Sequence, residues 1–412
     1  MIEQSVNIAI IGGGPAGLAA AISAKKNGAD QVLIIERNSW LGGILPQCIH
    51  DGFGVEELGK SLTGPEYAEM YIKTAKKLKV KTMLETMVLE INKNKTIIAV
   101  NRSGIHKIKA KSIILAMGCR EKTRWNAMIP GNRPSGIFTA GVAQSFINLY
   151  NIMPGKNVLI LGSGDVGLII ARRLKFEGAN VLGVVEILPY SSGLPRNVVQ
   201  CLDDYDIPLY LNHTITSIEG KERIEQVTIA HVDKNKNPII SSEKKIKCDT
   251  LLLSLGLIPE NELSKKASID IDKLTNAPIV DQNLQTSQEG IFACGNCLQV
   301  YDTVDLLSKD AKKAGKNAVL VSYKIKKIVK VKPGKGVRYI IPQIVSKPGN
   351  ILFTLRAEKP CKIPTLIAKV GDKTLMRKKL PWAFPANMIE FQINVDREII
   401  NSDDLIEVML DG

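Results

Sequence analysis

Two stretches of this chain carry glycines and an acid in the same spacing: residues 8–38, IAIIGGGPAGLAAAISAKKNGADQVLIIERN, and residues 158–187, VLILGSGDVGLIIARRLKFEGANVLGVVEI. Gly12, Gly14 and Gly17 in the first, and Gly162, Gly164 and Gly167 in the second, fall in G-x-G-x-x-G spacing. Glu36 and Glu186 each lie 22 residues beyond the middle glycine. These residue types suit a dinucleotide. The first glycine allows a tight turn, the second lets backbone approach a pyrophosphate, and the third permits close helix packing. Amides and dipole at the following helix N-terminus hold phosphate, and the carboxylate accepts hydrogen bonds from a ribose. One such set is weak evidence. Two complete sets of strand, turn, helix, strand and acid predict two dinucleotides, and the chemistry open to such a pair is hydride transfer between them.

The elements that must position these residues are legible around them. Residues 6–11 and 157–161 read as apolar strands entering the two turns, residues 15–27 as an Ala-rich helix, and residues 31–35 as the strand that ends at Glu36. Residues 113–116 before Met117-Gly118, and residues 251–255 before Gly256, are further apolar runs stopped by glycine. Buried parallel strands with a ligand at their carboxyl ends have this pattern. Glu186 is followed by Ile187, Leu188 and Pro189 with no arginine cluster. A carboxylate there repels a 2′-phosphate, so a dinucleotide with a free 2′-hydroxyl is expected, which for a nicotinamide site means NADH over NADPH, unless folding brings Arg172, Arg173 or Arg196 into reach.

Bulk properties agree with two or three domains, because 412 residues exceed one ordinary core. No apolar run reaches the roughly 18 to 20 residues of a membrane span, and the start lacks an export-signal pattern. A cytoplasmic protein is expected, and the 7 scattered cysteines suit a reducing compartment. The net charge of +14 sits in lysine clusters such as KKLKVK and SYKIKKIVKVK, without interleaved aromatics, so no nucleic-acid partner is expected. Such a surface suits anionic cofactors or an acidic partner.

The arrangement resembles the two-dinucleotide-binding flavoproteins, which include thioredoxin reductase and the pyridine nucleotide-disulfide oxidoreductases. The resemblance rests on GGGPAG at 12–17, SIILAMGCRE at 112–121, GSGDVG at 162–167, LLLSLGLIPEN at 251–261 and GIFACGN at 290–296. It implies an α/β fold of two Rossmann-like dinucleotide-binding domains, the NAD domain inserted in the FAD domain. On that reading residues 1–125 and 281–330 bind FAD and residues 126–280 bind NAD(P)H. The implied FAD-site residues are Gly12, Gly14, Pro15, Ala16, Gly17, Glu36, Arg37, Gly42, Gly43, Ala116, Gly118, Gly295, Asn296 and Asp305. The implied nicotinamide-site residues are Gly162, Gly164, Asp165, Val166, Gly167, Glu186 and Gly256. Asn296 departs from the family, which has an aspartate on the ribityl chain; asparagine still donates and accepts. A helix beginning near residues 302–305 is implied to aim its N-terminus at the flavin pyrimidine edge.

The cysteines argue against a dithiol enzyme. Neither Cys-x4-Cys after Glu36 nor Cys-x-x-Cys in the nicotinamide domain is present. Cys48 and His50 are the reactive-looking pair near the expected isoalloxazine, with His50 lowering the thiol pKa or relaying a proton. Set against this is a buried cysteine in a glycine-bounded loop with His50 as a polar lining residue. Cys294 and Cys297 form CGNC, a redox spacing when taken alone, but they fall on the expected buried strand end. Scattered cysteines and 4 histidines predict no metal.

The tail has no histidine, unlike the disulfide reductases. A basic stretch at 324–335 marks a boundary, and residues 331–412 read as a small β-rich C-terminal domain, a sandwich or barrel-like module. In it Ile389, Phe391, Ile393 and Val395 alternate with Glu390, Gln392 and Asn394. With GGILPQCIHDGFG at 42–54 and GNRPSGIFTAGVAQ at 131–144, the chain resembles a narrower group of FAD-dependent NAD(P)H oxidoreductases. These are similar to subunits of sarcosine oxidase, cyanide synthase, amino-acid dehydrogenase and glycerol-3-phosphate dehydrogenase systems. Cys361 alone lacks the ligand count for the iron-sulfur cluster that some of them carry. The resemblance implies a partner flavoprotein dehydrogenase or other electron acceptor, and an oligomer is expected. Three functions stay open: an NADH:acceptor oxidoreductase, a single-cysteine thiol or disulfide reductase using Cys48, and an FAD-binding electron-relay subunit.

Overall fold

A computed structural model describes residues 1–320, 328–401 and 405–412. The chain divides into two compact units, Met1–Cys119 with Pro259–Gly412, and Arg120–Ile258, so the second is inserted in the sequence of the first. Each dinucleotide-binding unit is Rossmann-like, and a smaller β-rich region completes the first. The expected nicotinamide domain, 126–280, runs past this division: residues 259–280 pack with the first unit, where buried Asn261 donates to Asn276 O and Cys297 O.

The sheet of the first unit has the order Lys81–Met83, Val32–Ile35, Ile2–Ile11, Gly104–Leu115, Thr96–Asn101, Met87–Ile91, and Ile291–Ala293 adds to Gly104–Leu115. Its central strands are parallel, in the registers Ile8↔Val32, Ile8↔Ser112 and Ile113↔Ile291. Val32–Ile35 is buried at every position, as apolar runs are in a sheet covered on both faces. The helix Pro15–Lys26 packs against Val304–Leu320, and Ser23 Oγ joins them by donating to Lys312 O at 2.6 Å. The expected helix near residues 302–305 thus begins at Val304. Part of the basic boundary at 324–335 lies outside the described residues.

The second unit repeats the plan. Its five parallel strands run Leu209–Leu211, Asn180–Glu186, Asn157–Leu161, Thr250–Leu253, Ile137–Thr139, with Leu161↔Leu253 and Ile160↔Val184 in register. In both sheets the glycine-turn strand lies between the acid-bearing strand and a returning strand, and all end on the same edge.

The C-terminal region has its own core. One sheet pairs Val329–Pro333 with Leu405–Asp411, and a second pairs Gly349–Ala357 with both Val337–Ile341 and Met388–Val395. Phe391, Ile393 and Val395 are buried while Gln392 and Asn394 are exposed, as predicted, whereas Ile389 and Glu390 are both half-buried and do not alternate. The Phe391 ring stacks on Phe353 at 5.5 Å.

Candidate functional site

The strand Ile2–Ile11 ends at Gly12, which takes φ +106 and lies so close to the returning strand that a Cβ would stand 2.3 Å from Ala116 O. A Cβ on Gly17 would stand 1.9 Å from Gly12 O. Only glycine fits either place. The helix Pro15–Lys26 starts behind Gly14 with no side-chain cap and no acid in its first turn, so its positive end has no built-in counter-charge. Glu36, buried at the end of Val32–Ile35, accepts Gly13 N–H on Oε2 at 2.7 Å and Asn38 N–H on Oε1 at 2.8 Å. Each oxygen keeps a lone pair for a further donor.

Other expected residues gather at this turn. Gly42 N–H donates to Gly13 O at 2.8 Å, and a Cβ on Gly43 would stand 2.9 Å from Gly14 Cα. A Cβ on Gly295 would stand 2.6 Å from the Ala16 Cβ, so the second segment reaches the start of the first helix. Ala116 is buried, Gly118 takes φ +72 with open space around it, and Arg37 is exposed. Close backbone, an uncapped helix start and a carboxylate with spare acceptor positions are a donor set that fits FAD.

Cys48 follows the short turn Leu45–Gln47 and donates to Ile44 O at 3.5 Å. Burial pushes its thiol up to about 12. The expected lowering by His50 is therefore corrected: desolvation disfavours the thiolate and decides the direction. His50 Nδ1 bonds to Asp51 O at 3.0 Å and its ring lies 5.1 Å from Phe53.

Asp305 is buried at the start of the helix Val304–Leu320, where its oxygens accept Gly54 N–H at 3.2 Å and Glu57 N–H at 2.9 Å. Beside it is a cluster that sequence reasoning missed. Glu57 accepts from Tyr67 Oη at 3.0 Å, from Tyr71 Oη at 2.7 Å and from Lys312 Nζ, and Tyr67 Oη meets Ser308 Oγ at 2.8 Å. Burial raises the Glu57 carboxyl, but hydrogen bonds from Lys312 and Tyr71 outweigh it and hold the carboxyl below its usual range. The available signal was the spacing of Tyr67 and Tyr71, four apart on the helix Gly64–Lys77.

Half-buried Asn296 accepts Tyr301 N–H at 3.3 Å and directs Nδ2 at Cys119 Sγ, 3.6 Å away. Cys294 and Cys297 are fully buried, and Cys297 Sγ donates to Leu115 O at 3.3 Å. Burial pushes Cys297 up to about 11 and raises Cys294 as well. Among the described residues no disulfide is formed, so CGNC is a packed strand end.

The second unit builds the same turn. Gly162 takes φ +98, Gly164 precedes the helix Asp165–Phe176, and Glu186 ends its strand buried. Ser163 N–H donates to Glu186 Oε2 at 3.0 Å and Leu188 N–H to Oε1 at 3.0 Å, the counterparts of the Gly13 and Asn38 bonds to Glu36. Gly167 N–H donates to Ser254 Oγ at 3.1 Å, Val166 is exposed, and Gly256 takes φ +92 with open space around it. Asp165 Oδ1 accepts Leu194 N–H at 2.8 Å and Asn197 Nδ2 at 2.6 Å. Arg173 is engaged by Asn148 and Glu177. Ser163 Oγ and Ser192 Oγ also donate to Glu186, contacts the sequence reading did not foresee.

Two Rossmann-like units, each holding a buried acid beside a glycine turn, define a two-dinucleotide oxidoreductase fold. The chain belongs to the pyridine nucleotide-disulphide oxidoreductase family, whose profile matches residues 6–317, a family of FAD- and NAD(P)H-dependent oxidoreductases. It is 27% identical over 289 residues to hydrogen cyanide synthase subunit HcnB of Pseudomonas protegens, covering 65% of this chain and 60% of that protein. It is 28% identical over 312 residues to NADH oxidase of Methanocaldococcus jannaschii, covering 72% of this chain and 64% of that one. The match thus spans less than two thirds of either relative. Among solved structures, T. acidophilum thioredoxin reductase shares the fold with a TM-score of 0.63 at 22% identity, covering 77% of this chain and 98% of that one. Among the described residues, no helix is long and apolar enough to cross a membrane.

Proposed function

We propose that this chain is an FAD-dependent NAD(P)H oxidoreductase that prefers NADH and passes electrons to or from an acceptor or partner flavoprotein dehydrogenase. The observation that carries this reading is the duplicated construction: Glu36 and Glu186 are each buried and held by two backbone amides beside a glycine turn. FAD, when bound, supplies hydride acceptance from reduced nicotinamide and onward electron transfer. The Gly12–Gly14–Gly17 turn and the uncapped helix start would hold its pyrophosphate, Glu36 its adenosine ribose, and Asn296 its ribityl chain. Gly162, Gly164 and Gly167 would hold the nicotinamide dinucleotide, with Glu186 on the ribose.

A 2′-phosphate beside Glu186 is repelled by on the order of 4 kcal/mol for unit charges about 4 Å apart at an effective dielectric of 20. Arg173 is already engaged by Asn148 and Glu177. The similarity to HcnB, named as a subunit, supports a partner protein. Seven cysteines without a disulfide support a reducing, cytoplasmic setting. The raised Cys48 thiol counts against the single-cysteine reductase.

Anaerobic titration of the FAD-loaded protein, followed by flavin absorbance, tests the reading. NADH is expected to bleach the flavin at concentrations at least about tenfold below NADPH. Equal bleaching would remove the Glu186 argument, and a flavin that stays oxidised with both would overturn the stand-alone oxidoreductase.

A further inference from the structure

The two acids are built alike and loaded differently. Among the described residues, Glu36 takes one donor on each oxygen, Gly13 N–H and Asn38 N–H. Glu186 Oε1 likewise takes one, Leu188 N–H, but Oε2 takes three: Ser163 N–H at 3.0 Å, Ser163 Oγ at 2.5 Å and Ser192 Oγ at 3.0 Å. A carboxylate oxygen offers two lone pairs, so Oε2 is full.

The third donor arrives on a strap that has no equivalent bonded to Glu36. Residues 191–197 fold back on the glycine turn: Ser191 Oγ donates to Ser163 O at 3.3 Å and Ser192 N–H to Ser163 Oγ at 2.9 Å. Leu194 N–H and Asn197 Nδ2 fasten the far end on Asp165. Gly193 permits the approach, since a Cβ there would stand 2.8 Å from Ser163 O.

A ribose that binds a carboxylate through both hydroxyls needs one acceptor position on each oxygen. Oε1 has one to give, whereas Oε2 has none until a donor leaves. The Ser163 donors belong to the buried turn itself. Ser192 is exposed, and its hydroxyl can turn away about χ1 without moving the strap. We infer that Ser192 is the affinity-setting residue of the second dinucleotide site: it occupies the ribose position on Glu186 Oε2 and is displaced when a nucleotide with a free 2′-hydroxyl binds. This rests on the reading that the second unit binds a nicotinamide dinucleotide.

The displacement has a selective consequence. Removing the Ser192 hydroxyl frees the acceptor that the second hydroxyl of the NAD+ ribose needs, whereas NADP+ keeps only its 3′-hydroxyl as a donor, which Oε1 already has a position to accept, so NADP+ gains nothing from the vacated Oε2 position. Calorimetric titration of the FAD-loaded full chain with NAD+ and NADP+ reads this without turnover. Ser192→Ala is expected to bind NAD+ roughly three- to tenfold more tightly, the exchange value of about one hydrogen bond, with NADP+ binding unchanged. Ser192→Thr keeps the donor and is expected to behave as the wild type. Unchanged or weaker NAD+ binding by Ser192→Ala overturns the displacement while leaving the nicotinamide reading intact. An equal gain for NAD+ and NADP+ overturns it in favour of a strap that merely loosens. If wild type and both variants retain FAD yet bind neither nucleotide, the nicotinamide reading falls, and the role of Ser192 with it.

Discussion

Cys48 illustrates how little a residue type says before its surroundings are known. In the sequence it stands two positions from His50, a spacing that suggests an activated thiol, but the folded loop turns His50 to Asp51 O and the half-buried Cys48 thiol to Ile44 O. Its pKa, raised by desolvation from 9.0 to about 12, leaves it a thiol at neutral pH. Alkylation of Cys48 by iodoacetamide at pH 8, followed by peptide mass spectrometry, is expected to run about a thousandfold slower than for an ordinary thiol, in proportion to the thiolate fraction. A rate near that of an ordinary thiol would restore it as a redox candidate. The same shift has a sign for stability. Below pH 9 the thiol is protonated in both states and contributes no pH dependence. Between 9 and about 12 the unfolded chain loses the proton first, so stability falls as pH rises. Asp305, expected as a cofactor residue, accepts one amide on each oxygen, from Gly54 and Glu57, and like Glu36 keeps a further acceptor position on each.

At the scale of elements, the two glycine turns share a sequence pattern but differ in tolerance. A Cβ on Gly17 meets the Gly12 carbonyl at 1.9 Å, which is backbone and can yield only by separating helix from strand. On Gly167 the contacts are Gly162 O at 2.7 Å and Ser254 Cβ at 2.8 Å, so a smaller shift suffices. Gly17→Ala is expected to lose FAD and more than about 3 kcal/mol of stability, and Gly167→Ala about 1 to 3 kcal/mol with FAD retained. Flavin content after gel filtration, together with urea unfolding, checks both. FAD retained at full occupancy by Gly17→Ala would contradict the close packing at the first turn. These turns were legible because glycine, acid and apolar strand follow one another within some 30 residues. The strap over the second turn was not, because SSG after an acid reads as an ordinary polar turn until Ser192 is seen beside Glu186.

At the scale of the molecule, the C-terminal region joins the rest of the first unit through Arg356. Its guanidinium, nearly buried, donates to Asp302, to Val300 O at 2.8 Å, to Ala386 O at 2.6 Å and to Tyr339 Oη at 3.0 Å. Asp302 in turn accepts Met388 N–H at 2.5 Å. Breaking such a pair from one side strands a buried charge, so Arg356→Met is expected to cost about 3 to 5 kcal/mol in urea unfolding. Arg356→Met combined with Asp302→Leu is expected to recover part of it, because no buried charge is left alone. Equal loss in the single and double variants would show that the other hydrogen bonds of Arg356, not the ion pair, hold the region. Nothing in the sequence links positions 302 and 356, and the pairing exists only once the β-rich region has folded against the second segment of the first unit.

The sequence by itself determined the two dinucleotide-binding units and the β-rich tail, because each rests on local rules, while the insertion of one unit in the other was implied by the family resemblance and is seen in the division of the folded chain. Glycine spacing sets a turn, apolar runs set buried strands, and period-two alternation in residues 389–395 sets a half-buried strand. Only the tertiary structure decided which polar side chains are already committed. The state of the Cys48 thiol, the Asp305 tie, the Glu57 cluster, the filled Oε2 of Glu186 and the Arg356 anchor all depend on burial and on partners distant in the chain. Hydrogen-bond capacity and desolvation are properties of the space around a group, and that space is assembled only by the fold.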